Sequence, residues 1–142
     1  MRVTEIKFAM TDGEIRACHP VMAELRTHLS DEEFVDQVKR QITDSGFQLV
    51  YLLDDGVKAV GGIRIAEWLA SGKCLEIEDL VSTAAERSKG YGGALFDWIV
   101  DYGRQQDCKQ IKLVSHVMRF AAHRFYLSKR MNLEAHYFSM TL

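Results

Sequence analysis

Leu80-Val81-Ser82-Thr83-Ala84-Ala85-Glu86-Arg87-Ser88-Lys89-Gly90-Tyr91-Gly92-Gly93 is the stretch on which the reading of this chain turns. It closes a β-rich run, CLEIEDLVS (74–82), and passes through a short polar loop to glycines. A helical pattern follows, with Leu95, Trp98, Ile99 and Tyr102 on one face. Such a strand–loop–helix leaves the first backbone N–H groups of the helix without partners in their own helix, at the end where the dipole favours negative charge. Glycines at 90 and 92 lack the Cβ atoms that would hold an anion off the backbone, and Arg87 and Lys89 add positive charge. The chemistry implied is pyrophosphate binding, although the segment is neither a GxxxxGK[ST] loop nor a GxGxxG fingerprint. A plainer reading is a tight strand-to-helix connection that needs glycine for its turn. The glycine pattern alone leaves both open.

The flanking sequence gives a mixed α/β order. RVTEIKFA (2–9) alternates as a first strand, and Thr11 or Asp12 caps a helix to about Leu29, with Pro20 kinking it or starting a second segment. Ser30 and Glu33 have capping-box spacing before a Phe34, Val38, Ile42 stripe, so a helix is expected over 31–44, closed by Gly46. Two β-rich runs, 47–54 and 57–68, flank Asp54-Asp55-Gly56 as a hairpin, and Gly61-Gly62 marks a bulge or a close backbone approach. Strand 74–82 completes a meander. A helix then crosses over to a strand at 109–115, which makes these two strands expected parallel neighbours. A helix within 116–131 and a last strand at 133–142 close the order.

The chain has 142 residues, 47% hydrophobic and 27% charged, enough for one domain, 1–142, with a proper core. Eighteen basic against 20 acidic side chains argue against a general nucleic-acid binder. No apolar run approaches the ~20 residues of a membrane span. The opening MRVTEIKF lacks the apolar stretch of a secretory signal, so a cytoplasmic protein is expected. Cys18, Cys74 and Cys108 are far apart and odd in number, which fits reduced thiols better than a disulfide framework or zinc site. His116 and His123 lack the further ligands a metal would need, and no metal is expected.

Arg87-x-x-Gly90-x-Gly92, after the strand IEDLV and before an amphipathic helix, resembles the acyl-CoA-binding signature of the GNAT N-acyltransferase superfamily. AAHRFYLSKRM resembles that family's later motif, with Ala122 four residues before Tyr126. The order of elements fits nearly the whole chain. The resemblance implies a central mixed sheet of six to seven strands, mostly antiparallel, with a parallel pair splayed around the cofactor and about four helices flanking it. It implies acetyl-CoA or coenzyme A as co-substrate, an amine acceptor and a homodimer. It also implies that Leu80, Val81 and Ser82 grip the pantetheine arm through their backbone, and that Arg87, Ser88, Lys89, Gly90, Tyr91, Gly92 and Gly93 cradle the pyrophosphate. Three places depart from the family pattern. Ser88 stands where glycine is usual, Arg119 where many members have an asparagine, and Arg130-Met131 where a Gly-Phe is usual.

An ammonium acceptor must lose a proton before its nitrogen can attack a thioester, and a carboxylate near the cleft can take it. Glu76 and Glu78 alternate along their strand, which places both on one face and Asp79 on the other. The resemblance puts the base on this strand, with Glu78 first and Glu76 second; a solvated sheet face is the alternative. It makes Tyr126 the donor to the departing thiolate. Free tyrosine is the weaker acid, so hydrogen bonding as charge develops on sulfur suits it better than full transfer. Cys74 offers a ping-pong variant, though a small buried core residue is the commoner role. The same residues also fit a non-catalytic acyl-CoA-binding module, distinguished by function surviving Glu78→Gln or Tyr126→Phe.

Overall fold

The computed structural model describes residues 4–142, and Arg2 and Val3 of the expected first strand lie outside the described residues. Two compact units divide the chain, residues 1–112 and 113–142. The first holds β1 (Glu5–Phe8), α1 (Asp12–Met22), α2 (Asp31–Ser45), β2 (Phe47–Leu53), β3 (Val57–Trp68), β4 (Gly72–Ser82), a 3₁₀ segment (Ala84–Lys89) and α3 (Tyr91–Gln105). β5 (Gln110–Leu113) straddles the division, and α4 (Phe120–Ser128) lies in the second unit.

Among the described residues the sheet has five strands in the order β1-β2-β3-β4-β5, fewer than the six to seven expected. The first four pair antiparallel. The Lys109 N–H, just before β5, donates to the Lys73 carbonyl near the start of β4 (2.8 Å), so both strands enter the sheet at the same end, as a helical crossover requires.

Local chemistry sets the helix ends. Thr11 and Glu14 close a reciprocal capping box on α1, as Ser30 and Glu33 do on α2, and Gly46 ends α2 at a φ of 72°. The Asp55-Gly56 corner of the β2–β3 hairpin takes positive φ at both residues, 54° and 104°. α1 stops at Met22 rather than near Leu29. Pro20 lies in its last turn, where it donates no backbone hydrogen bond, and Glu24 and Arg26 beyond it turn toward other elements.

One core lies where α1 and α2 cover the sheet, joining Ile15, Cys18, Met22, Phe34, Val35 and Val38 to Phe47, Leu49, Tyr51, Val60 and Val81. Phe34 is buried in this core. α3 packs on the opposite face, burying Leu95 and Ile99 while Trp98 and Tyr102 stack on each other and meet the Phe8 ring edge-on.

In the second unit α4 is followed by residues 131–142 with no regular secondary structure. The strand expected at 133–142 is thus not formed. Its sequence has the alternation of a strand, but a strand is completed only by a neighbour that takes its hydrogen bonds.

Candidate active site

The β3–β4 register slips by one residue at the middle of β4: Gly62 faces Asp79 while Ile63 faces Ile77, which leaves Glu78 as the extra residue of a β-bulge. A bulge breaks the two-residue alternation of a strand. Glu78 ion-pairs with Arg64, whose guanidinium lies over the Phe47 ring on the α1/α2 face. Asp79 lies on that face too, since a Cβ on Gly62 would meet both Asp79 Oδ2 and the Phe47 ring. Glu76 sits opposite Arg64 in the register. The expectation that Asp79 points away from Glu76 and Glu78 is corrected by the bulge, which collects all three carboxylates on one side.

Two arginines hold this cluster. Arg64 Nε lies 2.8 Å from Glu78 Oε2, off the hydrogen-bonding angle, and its Nη2 donates to Oε1 at 3.4 Å. Arg26, just past α1, donates from Nε to Asp79 Oδ1 (2.7 Å) and from Nη2 to the Glu78 carbonyl (3.0 Å). Burial pushes the Glu78 carboxyl above its ordinary value; Arg64 pulls it down, while Asp79 and Glu76 add to the rise. Such a group holds a proton more readily than a free carboxylate while its arginine keeps it oriented.

β4 leads directly into the glycine turn, and five contacts fix that turn. The Thr83 N–H donates to the Lys58 carbonyl (2.9 Å), and the Ala84 N–H donates to Glu24 Oε1 (2.9 Å). Glu86 accepts contacts from Lys58 (2.7 Å) and Lys89 (2.9 Å), which hold its carboxyl down at about 2. At the start of α3 the Tyr91 hydroxyl donates to the buried Asp54 carboxylate at 2.6 Å, tying the turn to the tip of the β2–β3 hairpin. Lys89 therefore stands at the turn as expected, but in an ion pair.

The glycines now separate. Gly90 takes a φ of 79°, a left-handed conformation that disfavours any other residue. Gly92 does not. It lies in the first turn of α3, and a Cβ there would touch only Ser82 at 3.6–3.7 Å, an ordinary contact. The plain reading of a tight connection accounts for Gly90 and leaves Gly92 unexplained. The first-turn amides of α3, including those of Tyr91, Gly92 and Gly93, have no carbonyl to bond within their own helix. Leu80 and Val81 are buried in β4, and Ser82 is half-buried at its end, beside Gly92.

Tyr126 lies in α4, in the second unit, with the Phe125 ring edge-on to it. Burial raises its phenol above the ordinary value and the Arg119 guanidinium works against the rise, so Arg119 acts on the tyrosine itself. The His123 ring contacts the His116 carbonyl (2.8 Å), and the His116 ring accepts from the Met118 N–H (3.1 Å), so both histidines are engaged locally. Cys74 is fully buried, and all three cysteines are free thiols. Sequence reasoning missed Glu24, Arg26, Asp54, Lys58 and Arg64. Only the Gly61-Gly62 pair hinted at them, by marking where β3 must let Asp79 approach.

A profile of the acetyltransferase (GNAT) family matches residues 14–131. The chain belongs to the GNAT acetyltransferase family, and acyl transfer is the chemistry of that class. Among its relatives is YhdJ of Bacillus subtilis (strain 168), an uncharacterized N-acetyltransferase, 35% identical over 112 residues, which are 78% of this chain and 79% of that protein. The fold resembles that of a transcriptional regulator from Bacillus halodurans C-125 (TM-score 0.86, 19% identity, 99% of this chain and 100% of the other). It also resembles the aminoglycoside N-acetyltransferase AAC(6')-Iy in complex with CoA (TM-score 0.84, 10% identity, 99% and 96%).

Proposed function

We propose that the protein is an acetyl-CoA-dependent N-acetyltransferase that acetylates a primary amine of a small molecule or peptide in a ternary complex. The observation that carries this reading is Gly92: a helical glycine costs the fold roughly 0.5–1 kcal/mol, and nothing among the described residues requires it. An anion lying against the backbone does. The amides from Arg87 to Gly93 bind the pyrophosphate, the end of β4 from Leu80 to Ser82 lines the pantetheine, and the bulge carboxylates stand further back along the same strand.

In the reaction, Glu78 takes a proton from the acceptor ammonium, directly or through water, with Glu76 as the second candidate. The freed amine nitrogen attacks the thioester carbonyl, the new C–N bond forms, the C–S bond breaks, and the second proton shed by the nitrogen ends on the departing sulfur. The thiolate leaves with a hydrogen bond from Tyr126. Orientation of the two bound substrates supplies most of the rate, and no acyl-enzyme is needed. The reaction belongs to one catalytic domain, residues 1–142, in a cytoplasmic homodimer. No helix among the described residues is long and apolar enough to cross a membrane.

Thiol release from acetyl-CoA, measured against a panel of polyamines, amino acids, aminoglycosides and peptide N-termini, tests the proposal. At least one amine accelerates release and gains an acetyl group by mass, and Glu78→Gln and Tyr126→Phe each lower kcat about 10²-fold while coenzyme A still binds. Binding without acceleration by any amine would leave a non-catalytic acyl-CoA-binding module instead. Equal affinity for ATP and coenzyme A would point to a nucleotide site.

A further inference from the structure

We infer that the tip of the β2–β3 hairpin, residues 54–58, holds the glycine turn in its anion-binding shape before the cofactor arrives, with Asp54 as the positioning residue that sets affinity for coenzyme A. The inference rests on the reading above that this turn binds the pyrophosphate.

An anion rests well against a row of amides only if they already point the same way; otherwise binding must first order them. Two features make this turn costly to order. Glycine loses more freedom on ordering than any other residue, and Gly90 and Gly92 flank Tyr91. Neither is closely packed within the first unit: a Cβ on Gly90 would meet nothing within 4 Å, and one on Gly92 only Ser82. The 3₁₀ segment before them is itself broken at Glu86, which has a φ of −134° and a ψ of 28°.

The hairpin tip grips the turn at its entry, its break and its exit. The Lys58 carbonyl accepts from the Thr83 N–H at the entry (2.9 Å), and the Lys58 ammonium pairs with Glu86 at the break (2.7 Å). At the exit the buried Asp54 carboxylate accepts from the Tyr91 hydroxyl at 2.6 Å, a length typical of a hydroxyl bound to a carboxylate. The tip is closed on itself, since Asp55 and Gly56 turn at positive φ and the Asp54 N–H donates to the Gly56 carbonyl (2.9 Å). Thr83, Glu86 and Tyr91 thus share one support, and the Tyr91 anchor lies between the two glycines that lack packing. Asp54 acts through Tyr91 and does not itself meet the cofactor. A turn that spends about a tenth of its time in the competent shape binds about ten times more weakly than one locked in it. A hydrogen bond to a carboxylate is strong enough to make that difference.

Calorimetric titration of coenzyme A, with a thermal melt of each protein, tests this on the full chain. Asp54→Leu and Tyr91→Phe each leave one buried polar partner behind, so both are expected to melt lower and to bind about tenfold more weakly. Asp54→Asn keeps an acceptor oxygen for the hydroxyl and is expected to retain most of the native affinity. The double variant Asp54→Leu/Tyr91→Phe removes both polar groups, so its melting recovers toward native while its affinity stays as low as in the single variants. It also decides the matter should a single variant fail to fold. Native affinity in Asp54→Leu or in the double variant overturns the inference and leaves the pyrophosphate reading standing. Asp54→Asn binding as weakly as Asp54→Leu overturns it too. A native chain that binds no coenzyme A removes the reading on which the inference rests, and the inference falls with it.

Discussion

Gly61-Gly62 and Gly90-x-Gly92 look alike as sequence, yet the structure explains one pair by packing and only half of the other. A Cβ on Gly61 would come within 3.1 Å of Ile99 and 3.2 Å of Val50, and one on Gly62 would lie 2.3 Å from Asp79 Oδ2 and 2.7 Å from the Phe47 ring. Neither neighbour of Gly62 can move cheaply, since Arg26 pins Asp79 and Phe47 is buried in the core. Gly90 is required by its backbone, but Gly92 has room for a side chain and a conformation that accepts one. A glycine that the fold does not need is the better pointer to a ligand.

Substitution at each position can break or sharpen this contrast. Gly62→Ala has the largest expected effect, a loss of about 3 kcal/mol of stability, measured by urea unfolding. A loss below about 1 kcal/mol would show that the bulge relaxes around the new methyl group. Gly90→Ala is expected to cost about 1–2 kcal/mol, through strain at positive φ rather than by collision.

The carboxylates give smaller effects, read against pH. As the proposed base, Glu78 must be ionised to accept a proton, so kcat/KM falls as pH drops through its pKa. Arg64 lowers that pKa, so Arg64→Met leaves the burial effect unopposed and moves the acid limb to higher pH. A limb that stays in place would remove Glu78 from the role of base. The smallest effect belongs to Glu86. Its carboxyl is held at about 2 by Lys58 and Lys89, below the ordinary carboxylate value, so its contribution to stability is present above that ordinary value. It is lost as pH falls toward about 2, and Lys58→Met should flatten that part of the thermal-midpoint profile.

Much of this contrast was legible before the fold was seen. The capping boxes at Thr11 and Ser30, the Asp-Gly hairpin corner and the strand–turn–helix around Gly90 are local signals, and local chemistry decides them. The bulge at Glu78 was not legible, because it arises from how β3 and β4 align over several residues. Strict alternation therefore put Asp79 on the wrong side. Arg26 lay hidden inside an expected helix whose end is set by contacts to β4 and to the turn beyond it. The last expected strand failed for a related reason. Propensity marks a segment able to pair, but residues 133–142 have no partner strand within the described residues.

Calorimetric titration of coenzyme A into the native chain and the Gly92→Ala variant tests the central claim most directly. If the main chain at the start of α3 holds the pyrophosphate, the variant melts no lower than the native chain and binds coenzyme A about tenfold more weakly, a difference of about 1.4 kcal/mol. Equal affinity in the two proteins would show that the anion does not rest against that backbone, and the assignment of the turn would fall.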